Sequence, residues 1–470
     1  MSASKRLPNS RLIAAALLML LMLSFFITFI RADFGELQLE WQKFLPGISG
    51  TSVIQTSDGG YLALGVNASI QEGDYGALFA NREPILIKTD SSGNMIWTKT
   101  YHAEDGRLEL SEIIETSDGG YALGGVRVVE NVYLNAENKI ILMKLDSQGN
   151  VQWDRLFIGY NDTYSDAGGP TSIKEVIQTS DRGFVIVTGY FHTMYINEIW
   201  FVKTDAVGNL VLSKTISGGL ISIVSASDGG FAIISQVMGR GGGAKFRLIK
   251  IDSEGNTQWS NTYIQQDSIS SRATCGIATR DGGYILGGYA IIDKNYGWLV
   301  KTDSQGNMLW NKTCSYKGYS SSIQSILQTE DGGFFFVGEA VNQTKFGEFD
   351  ANTQVFTWIV KTDNIGNIQG EAAIAMGNHF TTPTSVIQAK DGGYTFVGTW
   401  NESQPPTSDQ RFWLVKIAPA SIPTPSPATT PTPSPEPQQT EQFEVILGVA
   451  IVAAVIVAGL GFLIYLIKRK

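Results

Sequence analysis

The chain holds only two cysteines and three histidines among 470 residues. Cys275 and Cys314 are too few for a disulfide framework, leaving one bridge or two small apolar residues. His102, His192 and His379 lie far apart with no paired-ligand spacing, which argues against a zinc site, and no metal or cofactor is expected. Basic charge is also missing where it would count. The net charge is -9, and six of the cations (Lys5, Arg6, Arg11, Lys468, Arg469 and Lys470) stand at the extremes, so the middle is more acidic still. That excludes nucleic acid as an expected partner. No Gly-x-Ser-x-Gly elbow or phosphate-cradling loop occurs, and "GRGGGAK", Gly239 to Lys245, reads as a flexible connection. Catalysis is therefore disfavoured.

Two apolar runs stand near the ends. Leu12 to Ile30 follows a basic flank and reads as a signal peptide or an uncleaved anchor within residues 1–31. Val445 to Ile467 is long enough to cross a bilayer as a helix, with a basic cytoplasmic tail at 468–470. Under the positive-inside rule both basic ends stay cytoplasmic, which places the intervening chain outside the cell membrane. Pro419 to Thr440 carries eight of the fifteen prolines, a composition that cannot pack a core and makes a semi-rigid stalk. Sequons at Asn67, Asn161, Asn311, Asn342 and Asn401 fit an exported glycoprotein.

Between these ends one pattern recurs. Asp-Gly-Gly begins at Asp58, Asp118, Asp228, Asp281, Asp331 and Asp391, with Asp-Arg-Gly at Asp181, and Tyr or Phe follows each time. Asp-Gly between apolar runs is a strong hairpin signal. A second motif, Lys-x-Asp-x-x-Gly-Asn, starts at Lys88, Lys144, Lys203, Lys250, Lys301 and Lys361. It marks another hairpin, so each repeat of roughly fifty to sixty residues holds four strands, a to d. Paired apolar positions in strand a, such as Val53-Ile54 and Ile113-Ile114, expect burial on both faces.

These features predict an all-β fold, a seven-bladed β-propeller over 37–418, with hydrophobic helices at both chain ends. The last repeat lacks strand d, and "LEWQKF", Leu39 to Phe44, resembles the missing piece. It is expected to pair with Trp413 to Ile417 and close the ring, removing open edges. An open solenoid is the alternative. Cys275 would open strand a and Cys314 end strand d of one blade, roughly 14 Å apart, so free thiols are the better reading. Trp41, Trp97, Trp153, Trp259 and Trp310 in strand d are expected to pack each blade on its neighbour, and Trp200, Trp298, Trp358 and Trp413 to be structural too. The Asp-x-x-Gly-Asn carboxylates read as turn caps rather than calcium ligands. Ser52, Glu112, Glu175, Ser222, Cys275, Ser325 and Ser385 form one column of strand a. The column is expected to line an axial channel, where Glu112 and Glu175 read as solvated channel walls ahead of the alternative, a cation site.

The "DGGY…KTDxxGNxxW" pattern resembles the propeller repeats of prokaryotic, especially archaeal-type, surface proteins, similar in fold to quinoprotein-like and WD-repeat propellers. The resemblance covers about Leu37 to Ala418, and the stalk, single helix and "KRK" end are similar to archaeal envelope proteins. The turn is also reminiscent of the sialidase Asp-box and of the quinoprotein tryptophan-docking repeat, but its spacing differs from both. No motif here matches their catalytic residues.

The a-to-b and c-to-d turns are short and uniform, whereas the b-to-c and d-to-a connections vary. Recognition is expected on the variable face, with Tyr75, Tyr133, Tyr160, Tyr164 and Phe346 as contact candidates. Asn67, Asn161, Asn342 and Asn401 lie in the same loops, so glycans would share that face. The expected function is an anchored extracellular module that binds an envelope component, a cell-surface partner or a polymer. Lipid is contacted through the C-terminal helix, and an extracellular protein or glycan through the loops. The alternatives are a carbohydrate-active lyase or glycosidase using Glu72, Asp74, Glu348 or Asp350, and a structural spacer.

Overall fold

The computed structural model describes residues 37–69, 81–129, 137–157, 170–193, 196–238, 243–343, 353–374, 380–401 and 410–419. Both terminal hydrophobic runs, the stalk beyond Pro419 and the basic tail lie outside them. Among the described residues no helix is long and apolar enough to cross a membrane.

Strand formation follows the two turn signals. In the first blade the strands are Ser49–Gln55, Tyr61–Ser69, Asn81–Thr89 and Met95–Thr100, paired antiparallel in that order. Each turn holds a glycine at positive φ, Gly59 at 83° and Gly93 at 75°, the conformation that an L side chain disfavours. Seven such four-stranded sheets are formed. The seven-bladed propeller is thus present, and the open solenoid is not.

The ring closes through the chain's first described strand. Leu39–Leu45 pairs antiparallel with Gln410–Ile417, in a register that sets Phe44 opposite Trp413 and Leu45 opposite Phe412. Trp413 Nε1 donates to Gln42 Oε1 at 3.0 Å. Seven hydrophobic clusters fill the seven seams between consecutive blades. Val53 packs in the seam with Phe412 and Leu414 of the last blade, and the adjacent Ile54 in the opposite seam with Leu110 and Ile113 of the second. Strand a is therefore apolar on both faces because it is wedged between two blades.

Outer strands are tied down by a device that joins the two motifs across blades. Each strand d tryptophan packs over the positive-φ glycine of the following blade's turn. A Cβ on Gly93 would stand 2.7 Å from Trp41, on Gly149 2.8 Å from Trp97, and on Gly366 2.8 Å from Trp310. Two residues later a lysine reaches the asparagine of the same turn, Lys99 Nζ to Asn150 Oδ1 at 2.5 Å and Lys43 Nζ to Asn94 Oδ1 at 3.2 Å. Trp41, Trp153, Trp259 and Trp310 also meet the next blade's first strand b ring edge-on. Trp298, Trp358 and Trp413 are fully buried in strand c.

This docking has a measurable consequence. Gly149→Ala is expected to destabilise the propeller more than Gly119→Ala in denaturant titrations. Both glycines have positive φ, 77° and 78°, and each substitution carries about 1–2 kcal/mol for that backbone. Only at Gly149 does the added carbon also meet a tryptophan, since nothing lies within 4 Å of it at Gly119. Equal losses would mean that the tryptophan is not held against the turn.

Candidate functional site

At the uniform-turn end the two motifs meet inside each blade. Lys88 Nζ stands 2.8 Å from Asp58 Oδ2, and Lys144–Asp118, Lys250–Asp228, Lys301–Asp281, Lys361–Asp331 and Lys416–Asp391 repeat the contact. Lys203–Asp181 is the loosest, at 4.0 Å, in the blade where Arg182 occupies the usual glycine position with φ 67°. Glycine is required at position 60 because a Cβ there would lie 2.2 Å from Thr89 O and 2.6 Å from Lys88 Nζ. Lys88, Lys144, Lys250, Lys301 and Lys416 are buried, Lys203 and Lys361 partly so, and the carboxylates face solvent.

Burial opposes ionisation of Asp58, but bonds from Lys88, Thr56 and the Gly60 N–H outweigh it and hold the carboxyl at about 2. Asp118, Asp281 and Asp331 are held at about 2 by equivalent partners. A group depressed in the fold stabilises fully above its ordinary value of 3.8, and that contribution is lost as pH falls through the depressed one. The melting temperature is therefore expected to drop as pH falls from about 4 towards 2. A Lys301→Met chain should start lower and drop less, and identical slopes would contradict the ion pair's role.

The Asp-x-x-Gly-Asn carboxylates cap their own turns. Asp90 Oδ1 accepts from the N–H groups of Ser92 and Asn94 at 2.9 and 2.8 Å, and Oδ2 from Asn94 Nδ2 at 3.0 Å. Between the fourth and fifth blades the same end carries a cleft of about 320 Å³ lined by Asp228, Lys250, Gln258, Trp259, Ser304 and Gln305. Ala226 stands there where five other blades place a threonine whose hydroxyl bonds the aspartate, as Thr56 does.

The inner strands carry the predicted acidic pair. In every blade the strand a register slips just before the column residue, between Gly50 and Ser52 in the first and between Leu110 and Glu112 in the second. The same slip precedes Glu175, Ser222, Cys275, Ser325 and Ser385. A repeated bulge thus re-aims the whole column. Its members are bonded across seams: Ser52 Oγ donates to Glu112 Oε1 at 3.1 Å, Ser222 Oγ to Glu175 Oε2 at 2.9 Å, and the Val386 N–H to Ser325 Oγ at 3.2 Å. Glu112 and Glu175 keep partial solvent contact, yet surrounding protein makes desolvation dominant. Burial raises Glu112, and the neighbouring charge of Glu175 raises it further, against the Ser52 bond. Burial raises Glu175 against the bonds from Ser222 and Ile223. Both carboxyls are thus pushed towards the protonated form, each by its burial and Glu112 also by its neighbour. Among the described residues no group of three or more His, Cys, Asp or Glu side chains is assembled to hold a metal ion.

Cys275 and Cys314 are free thiols, and burial pushes both up to about 12, so neither is a reactive nucleophile.

The variable end is where the sequence candidates concentrate. Tyr75, Tyr133, Tyr160, Tyr164 and Phe346, with Glu72, Asp74, Glu348 and Asp350, lie outside the described residues, as does Asn161. Of the other sequons, Asn311 is exposed on an outer strand, Asn67 and Asn342 are half-buried, and Asn401 is buried at 4%. Sequence reasoning missed the lysine–aspartate pairing and the inner bulge. Seven lysines in phase with seven aspartates were the available signal for the pairing. The bulge has no residue signature, since residues as different as Thr51, Ile221 and Gln324 occupy it.

No protein-family model matches the chain, and no curated protein is similar to it. Solved structures share its fold. A polysaccharide lyase, an ulvan lyase bound to a GlcA(1-4)Rha3S fragment, aligns over 81% of this chain and 97% of its own at 9% identity, with a TM-score of 0.50. The β-propeller domain of the Trilobed protease from Pyrococcus furiosus, described as having an open velcro topology, aligns over 79% and 98% at 10% identity and a TM-score of 0.40. A Trypanosoma rangeli sialidase aligns over 70% and 56% at 14% identity and a TM-score of 0.39. At these identities the likeness is one of fold.

Proposed function

We propose that the chain is a membrane-anchored extracellular propeller that binds an envelope component, a cell-surface partner or a polymer through its variable end. The observation that carries this reading is the division of labour between the two ends. One end spends its turns on repeated lysine–aspartate pairs and tryptophan–glycine contacts, while the other carries connections unlike one another in length and sequence. Variable loops on a rigid frame are where recognition resides. The anchor rests on the apolar runs Leu12–Ile30 and Val445–Ile467 with their basic flanks, and the reach on the Pro-rich stalk at 419–440. Glycans at the exposed sequons belong to the same proposal.

A carbohydrate-active enzyme is the second reading. It is supported by the fold shared with the ulvan lyase and by the loop acids Glu72, Asp74, Glu348 and Asp350. A fold alone does not carry an activity.

The test is retention from the source organism's envelope extract by the full chain and by a chain with its five longest connections shortened. Capture of one component by the full chain alone is the expected result. Equal retention by both would overturn recognition by the loops. Release of shortened polysaccharide from the extract would move the assignment to the enzyme.

A further inference from the structure

The uniform-turn end carries a rim of exposed apolar side chains that no blade covers. In three blades strand d begins, just past the c-to-d turn, with Met95 and Ile96, Leu210 and Val211, or Met308 and Leu309, each between 47 and 61% exposed. Val207 and Ile365 stand on the turns themselves, also about half exposed. The blades contributing to this rim are the first, second, third, fifth and sixth, with Val151 in the second, so the apolar positions are spread round the end, with gaps at the fourth and seventh blades, rather than gathered on one side. In the first, second and fifth blades the strand needs no apolar residue there for packing, because Trp97, Trp153 and Trp310, one or two residues further on, make the contact with the next blade. Adjacent apolar pairs at the same position of several blades are a candidate interaction surface.

Chain path singles out the occupant. The propeller's two ends of chain leave from this same side, since the Ala418 N–H donates to Gln38 O at 2.8 Å and Pro419 lies beside the Gly392 turn. Six residues, 31–36, separate Ile30 of the first apolar run from Leu37. With that run in a bilayer, their reach is at most roughly 25 Å. The second run follows Pro419 at the end of the stalk. Every internal turn at this end lies within the described residues.

We propose that the uniform-turn end lies face-down on the outer surface of the lipid bilayer, with the apolar rim in the interfacial zone and the variable end directed away. The inference rests on the anchored reading above and adds an orientation to it. Turn carboxylates shape the lipid preference. Asp90, Asp146, Asp205, Asp252, Asp303 and Asp363 cap the turns as ionised groups in the headgroup region, so headgroups bearing an amine are favoured and strongly anionic surfaces repelled. The rim supplies the apolar contact of an interfacial element, and the short tether supplies the effective concentration.

The test uses the full chain in phosphatidylcholine vesicles, with a polarity-sensitive fluorophore on a single added cysteine at Ile96→Cys, at Leu309→Cys or, as the opposite-end control, at Met238→Cys. Cys275 and Cys314 are only partly buried, so every variant also carries Cys275→Ser and Cys314→Ser. Nitroxide lipid is expected to quench the two rim positions several-fold more than the control, and anionic lipid to reduce the difference. Vesicle flotation with equally weak quenching at all three positions would overturn the docking while leaving the anchor intact. Rim labels shielded from aqueous iodide but not quenched by lipid would also overturn it, since protein would then cover the rim. Failure to float would overturn the anchored reading and this orientation together.

Discussion

Replacing Phe412 with alanine is expected to cost the propeller about 3–5 kcal/mol, among the largest losses any single side chain here produces. Phe412 is fully buried at the seam that joins the last blade to the first. Its ring occupies room left by two glycines of the first blade, where a Cβ would stand 2.4 Å away at either Gly50 or Gly65. Leu45 of the closing strand sits opposite it in register. Truncation therefore opens a cavity in the seam on which ring closure depends, and little around it is free to collapse. Urea titration is expected to show the loss, and hydrogen exchange to show protection falling first in Leu39–Leu45. An exposed control, Ile264→Ala at 51% exposure, should stay within about 0.5 kcal/mol. A Phe412→Ala loss no larger than the control's would mean that the closing seam does not hold the ring.

Glu112→Gln is expected to act in the opposite direction and to do so only at higher pH. The inner-ring carboxyls keep protons that the unfolded chain releases above its ordinary glutamate value of 4.5. Because the fold then binds more protons than the unfolded state, stability falls as pH rises from about 4.5 towards neutrality and remains at the lower level above. Glutamine keeps an acceptor for the Ser52 hydroxyl and removes the titration. The gain at pH 8 is expected to be on the order of a few kcal/mol, shared with Glu175, and the change at pH 4 close to none. Thermal melts at the two pH values check it. A loss at pH 8 would show that the ionised pair is stabilising, as a bound cation would make it. Together with the aspartate ion pairs, which weaken below pH 4, this places the stability maximum in the mildly acid range.

Much of the architecture was legible because its signals are local. Asp58-Gly59 and Asp90 to Asn94 each encode a turn whose conformation few other residues satisfy, and their alternation fixes four strands per blade. The stray "LEWQKF" segment revealed closure because it repeats a piece the last blade lacks. What escaped notice depends on distance. Lys88 and Asp58 are 30 residues apart and meet only when strands a, b and c pair, and Trp97 finds Gly149 only once consecutive blades stack. The inner column was legible as a column, since spacing alone defines it, yet its bonding across seams was not. The bulge that aims Glu112 and Glu175 at Ser52 and Ser222 is a backbone slip with no fixed residue. The contact candidates of the variable connections carry no repeating pattern, and that irregularity is the only ground on which the sequence proposes them for recognition.

The central claim is that the two ends of the propeller face different partners, and photo-crosslinking in the source organism's own membranes tests it most directly. A photoreactive residue would be placed at Ile269, exposed at the variable end, and another at Val207 on a uniform turn. The account expects protein or polysaccharide adducts from Ile269 and lipid adducts from Val207. Macromolecular adducts from Val207, with none from Ile269, would contradict it.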